Sequence, residues 1–107
     1  MKKKIQFDVL LDENKLPKNI SMNTSDGSKN NNIKALLLSA WDASSKDTLR
    51  IDLWAKDMKV NDMHILFHQT ILSLATTLER STGEQKLAGA LRDYCDFFAE
   101  ETKIISR

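Results

Sequence analysis

From Thr48 to Trp54 the side chains alternate: Leu49, Ile51 and Leu53 on one side, Thr48, Arg50, Asp52 and Trp54 on the other. Successive side chains of an extended chain point to opposite faces, so this period of two specifies a half-buried strand. Lys34 to Trp41 reads as the preceding strand, although Leu36-Leu37-Leu38 alone also suits a helix. The short link Ala43-Ser44-Ser45-Lys46 favours a hairpin. Its even length sets opposed residues on a shared face. Leu36, Leu38 and Ala40 then join Leu49, Ile51 and Leu53 inside. A slip of one residue would turn Arg50 and Asp52 against those leucines. The outer face holds Ala35, Leu37, Ser39, Trp41, Thr48, Arg50, Asp52 and Trp54.

Two further strands are expected upstream. Ile5, Phe7, Val9 and Leu11 alternate with Gln6 and Asp8, and Ile20 and Met22 mark a short second strand after the connection Asp12 to Pro17. Thr24 to Asn32 has no apolar residue to bury and is expected to be a mobile surface loop. Two helices follow. Asn61 is the expected N-cap of the first, with Val60 and Ile65 as a staple. Met63, Leu66, Phe67, Thr70, Ile71, Leu74 and Leu78 keep helical spacing, and the helix should end near Arg80 to Thr82. Thr82 with Gln85 fits a capping box for the second, whose stripe is Leu87, Leu91, Tyr94, Cys95 and Phe98.

Strands followed by helices imply an α+β fold. The expectation is one domain over residues 1–107. It would have one antiparallel sheet of about four strands and two antiparallel helices packed on one face. Leu36, Leu38, Leu49, Ile51 and Leu53 would face Leu66, Ile71, Leu74, Leu91 and Phe98. A chain of 107 residues can bury one ordinary core.

The net charge of +1 offers no field to collect nucleic acid or anionic lipid, so neither is expected as a partner. No apolar run approaches the roughly 20 residues of a membrane span, so no direct membrane insertion is expected. Lys2-Lys3-Lys4 leads into an apolar stretch too short for a secretory signal. The one cysteine, Cys95, cannot form an intrachain disulfide, which fits a reducing compartment. The expected location is cytoplasmic.

Chemistry-bearing residues are sparse in pattern. His64 and His68 lie one helical turn apart, but a zinc site needs three or four ligands, and Ile65 stands where a zinc-protease helix carries glutamate. Cys95 falls on an apolar stripe between Asp93 and Asp96, a poor setting for a thiolate. Carboxylates are plentiful without a pocket to shift them, and no phosphate-binding loop or serine elbow is present. The chain is therefore not expected to be an enzyme. No catalytic, cofactor-binding or metal residue is assigned.

The informative residues are apolar and lie where a surface should be. Leu37, Trp41 and Trp54 share the outer sheet face, and exposed aromatics favour interfaces. Between Asp62 and Glu79 the first helix carries no Asp, Glu, Lys or Arg, and Ile65 and Leu72 fall on its non-core side. Two charge-poor surfaces predict a symmetric homodimer, or else the docking of a different protein.

Several long strings have a family resemblance. They are Thr48 to Trp54 with Lys56-Asp57-Met58, Phe67-His68-Gln69-Thr70, Asp93 to Glu100, and Lys3 to Lys15 with Leu11-Asp12-Glu13-Asn14-Lys15. Together they resemble the gliding motility protein GldC family. The resemblance implies a small cytoplasmic protein of the Bacteroidota, accessory to gliding and its associated type IX secretion apparatus, with no assigned catalytic residue. It leaves two functional expectations. One is an adaptor that captures protein partners. The other is a holding chaperone for export substrates, because the element order is similar to that of SecB-type chaperones.

Overall fold

The computed structural model describes residues 1–104 and shows five strands followed by two helices, an α+β protein. The chain divides into two compact units, Met1–Met58 and the remainder from Lys59.

In the first unit, β1 (Ile5–Leu11), β2 (Pro17–Thr24) and β3 (Lys29–Ile33) form an antiparallel sheet in that order. The alternating apolar residues set its register. Phe7 opposes Met22, Val9 opposes Ile20, and Ile20 also opposes Ile33. Ile20 is completely buried at the centre of this sheet. The second sheet is a ribbon of β4 (Ala35–Asp42) and β5 (Asp47–Trp54). Its register is the expected one, with Leu36 opposite Leu53, Leu38 opposite Ile51 and Ala40 opposite Leu49.

Two sequence expectations change here. The strands number five in two sheets, rather than about four in one. The added strand is β3, which falls, except for Ile33, in the stretch expected to be a loop. Strand pairing uses backbone N–H and C=O groups, so Lys29-Asn30-Asn31-Asn32-Ile33 can join β2 with Ile33 as its one apolar side chain. The turn before it is built by Gly27 at φ 96°, a left-handed conformation that glycine adopts without penalty. Within this unit the leucine face of the ribbon has no covering layer. Leu38 and Leu49 are exposed, and Ile51 is 49% exposed. A ribbon of two strands supplies no second layer of its own.

A polar joint links the two sheets of this unit. Asp12 Oδ1 accepts the N–H groups of Asn14 at 2.8 Å and Leu16 at 3.0 Å, closing the β1–β2 turn. Its Oδ2 lies 2.7 Å from Lys56 Nζ. Lys56 N–H donates to the Pro17 carbonyl at 3.3 Å, and Ala55 N–H donates to the Lys34 carbonyl at 2.7 Å. Ala55, between these bonds, is fully buried.

The second unit is a helical hairpin of α1 (Val60–Thr82) and α2 (Gln85–Thr102). The helix boundaries correct the expected caps. Asn61 lies within α1, whose N-cap is Lys59 with no side-chain cap bond. Thr82 closes α1 instead of opening α2. Its hydroxyl donates to the Leu78 carbonyl at 2.7 Å and accepts the Glu84 N–H at 3.2 Å. Gly83 follows in the left-handed region at φ 75°, and its N–H returns to the Glu79 carbonyl. This is how a helix stops abruptly enough for another to begin two residues later. Ala75, Ala88 and Cys95 are buried along the helix contact. Arg92 donates to Glu79 at 2.8 Å across it. Small residues there let the two backbones approach closely.

Candidate interaction surface

The hairpin register places Leu37, Trp41 and Trp54 on one face of the β4–β5 ribbon. Trp41 opposes Thr48, Leu37 opposes Asp52 and Ala35 opposes Trp54. Trp41 is 66% exposed and Trp54 is 54% exposed, while Leu37 is half-buried. The two indoles do not form one cluster. They sit at opposite ends of the ribbon, roughly 20 Å apart at the usual rise per residue. Between them lies a polar centre in which the Arg50 guanidinium bonds both the Ser39 hydroxyl and the Asp52 carboxylate. The face is therefore amphipathic, with an aromatic group at each end and a charge pair in the middle.

The other two candidate residues lie on α1. Ile65 and Leu72 are seven residues apart and share a helix face, with Ile65 half-buried and Leu72 exposed.

A larger apolar face of the helical hairpin was not anticipated. His68 and Ala75 face α2, and Ala88 and Cys95 face α1. Phe67, Leu74, Leu87 and Tyr94 each precede one of these contact residues. One residue back is a rotation of about 100°. In an antiparallel pair the two flanks rotated in that sense fall on the same side. All four side chains are exposed, and Tyr94 also meets Phe97 and Phe98 with ring centroids 5.8 and 6.2 Å apart. The pattern was legible as four apolar residues each just before a small or polar helix-contact residue. It was missed because all apolar positions of a stripe were assigned to the core together.

The residues tested for chemistry take packing positions. His64 stands edge-on to Phe98 at 6.1 Å, and the His68 ring lies 6.4 Å from the same phenyl. Cys95 is 1% exposed, with Sγ 4.0 Å from the His68 carbonyl. Burial, with the Asp96 charge nearby, pushes its thiol above the ordinary cysteine value. Among the described residues no group of three or more His, Cys, Asp or Glu could hold a metal ion. No helix among them is long and apolar enough to cross a membrane.

Three carboxylates at turns are held below their ordinary range. The Lys56 ammonium is the main cause at Asp12, followed by the Leu16 N–H. The Thr24 hydroxyl is the main cause at Asp26, and the Ser44 N–H at Asp42. These groups stabilise loops; none lines an enclosed site.

Five strands followed by a helical hairpin define a small α+β protein whose distinctive surfaces are apolar. The family model described as "Gliding motility-associated protein GldC-like" matches residues 17–104, and the chain belongs to that family. The matched span holds three of the four strings that carry the resemblance; Lys3 to Lys15 lies before it. No curated protein and no solved structure matches the chain.

Proposed function

We infer that the protein is a non-enzymatic accessory of bacterial gliding and its associated secretion apparatus, acting in the cytoplasm by binding other proteins. Membership of a gliding motility-associated family supplies the process. The mode of action rests on one observation: Trp41 and Trp54 stand exposed on a face whose centre is an Arg50–Asp52 pair. Aromatic and arginine side chains are the residue types that dominate protein interfaces, because each combines large apolar area with directional contacts. The lone, buried Cys95 thiol supports a reducing compartment.

The test is a comparison of native capture with binding to unfolded chains. Wild-type protein should retain the same one or two folded partners from a native extract of its own cells, and Trp41→Ser should lose them while keeping its fold. Equal binding of a denatured model substrate by both proteins would replace the adaptor with a holding chaperone.

A further inference from the structure

The outer edge of β5 is unpaired: among the described residues β5 bonds only to β4. An open edge is a template for another strand, and proteins usually blunt it with charge, proline or a bulge. This edge carries charge in an unusual arrangement. Around Ile51 the sequence runs Thr48-Leu49-Arg50-Ile51-Asp52-Leu53-Trp54, with opposite charges at equal distances from the centre. We propose that β5 pairs antiparallel with β5 of a second copy about a two-fold axis at Ile51, joining two ribbons into one four-stranded sheet.

Registry decides the case. Along a strand, alternate residues direct their N–H and C=O groups outward, so two copies of one edge can shift only in steps that keep a residue on the axis. With Ile51 on the axis, Arg50 opposes Asp52 of the second copy, and Asp52 opposes its Arg50. Leu49 then opposes Leu53, and Thr48 opposes Trp54. All seven residues are paired, and the arrangement is isologous, as a two-fold interface must be. Moving the axis to Arg50 sets arginine against arginine. Moving it to Asp52 sets aspartate against aspartate. Like charges directly opposite destabilise a ladder and opposite charges support it. Axes at Leu49 or Leu53 leave strand ends unpaired. The charge pattern therefore selects one register.

The existing geometry is prepared for this partner. Arg50 and Asp52 already lie on one face in mutual contact. The second copy would complete a ring of four alternating charges. On the opposite face Leu38, Ile51 and their symmetry mates would form one apolar row across four strands. The edge of β4 lacks this selectivity, because Ala35 to Trp41 carries no charge and tolerates several registers equally. The inference rests on strand register alone and is independent of the role in gliding.

Charge exchange with light scattering at micromolar concentration tests it. Wild type should have twice the 12.2 kDa mass of the chain. Arg50→Asp and Asp52→Arg should each have the mass of one chain, since each opposes like charges twice. Mixing the two variants should restore the doubled mass, because each then meets its opposite. Within each chain the variant pair still repels, so recovery on mixing cannot come from repaired folding. A single-chain mass for wild type overturns the proposal. So does a doubled mass that persists in both variants, or a mixture that stays single. Ile51→Cys is a second check that leaves the charges intact. The axis sets the two Cα atoms about 4.5–5.5 Å apart, within disulfide reach. Mild oxidation should link the copies covalently, and failure to cross-link would overturn the register.

Discussion

Lys56 Nζ lies 2.7 Å from Asp12 Oδ2, and this contact fastens the turn of the three-stranded sheet to the strand end that leaves the ribbon. Asp12 also accepts two N–H groups of its own turn, so one side chain serves both local and long-range structure. Asp12→Ala should therefore lower the melting temperature more than Lys56→Met, which removes the ammonium but leaves the turn bonds. Thermal unfolding followed by circular dichroism checks the order. Equal effects would mean that the turn bonds contribute nothing.

Acid should loosen the first unit before the second. Asp12, Asp26 and Asp42 have folded pKa values below the unfolded value of about 3.9. A depressed carboxylate contributes stability that is present above the unfolded pKa and lost as pH falls through the folded one. Amide exchange in the three turns should rise below about pH 4. It should rise there ahead of exchange in α1 and α2. Simultaneous loss of protection throughout would contradict this.

Among the described residues Ile20 is the one large aliphatic side chain that is wholly enclosed. Ile20→Ala should cost about 2–5 kcal/mol, through lost transfer energy and the cavity left behind. Chemical denaturation measures it. A cost under about 1 kcal/mol would show that the sheet collapses onto the site.

Gly83 links the helices at φ 75°, and a methyl group built on it would meet no neighbour. The penalty of Gly83→Ala is therefore backbone strain alone, about 1 kcal/mol. An unchanged midpoint in urea would mean that the link relaxes to another conformation.

Cys95 should react with a thiol reagent only when the helices part. Its sulfur is buried and its thiol is pushed up by burial and by Asp96. Modification in the native state should be far slower than in denaturant. Comparable rates would place the thiol at the surface.

Much of the fold was legible where side chains carry the instruction. The β4–β5 register follows from Arg50 and Asp52, since any odd slip exchanges charges for leucines. The helices follow from apolar spacing alone. What escaped is structure carried by the backbone. β3 has an asparagine-rich sequence whose one apolar partner for β2 is Ile33, too little to mark a strand. Thr82 and Asn61 have good capping chemistry, yet the chain enters α1 at Lys59 and turns at Gly83. The Asp12–Lys56 pair joins residues far apart in sequence, which no local pattern reveals. Among the candidate residues, the shared face of Leu37, Trp41 and Trp54 was readable from parity. Their separation by a polar centre was readable too, by counting along the ladder. The exposed helix face at Phe67, Leu74, Leu87 and Tyr94 needed the direction of helix contact, which Ala75, Ala88 and Cys95 define.

The most direct test of the role in gliding is cell movement over a surface after deletion of the gene in the protein's own organism. Spreading should fall, wild-type protein should restore it, and Trp41→Ser, made in equal amount and folded, should not. Normal spreading without the gene would contradict the role in gliding. Full rescue by Trp41→Ser would contradict the ribbon face as the working surface.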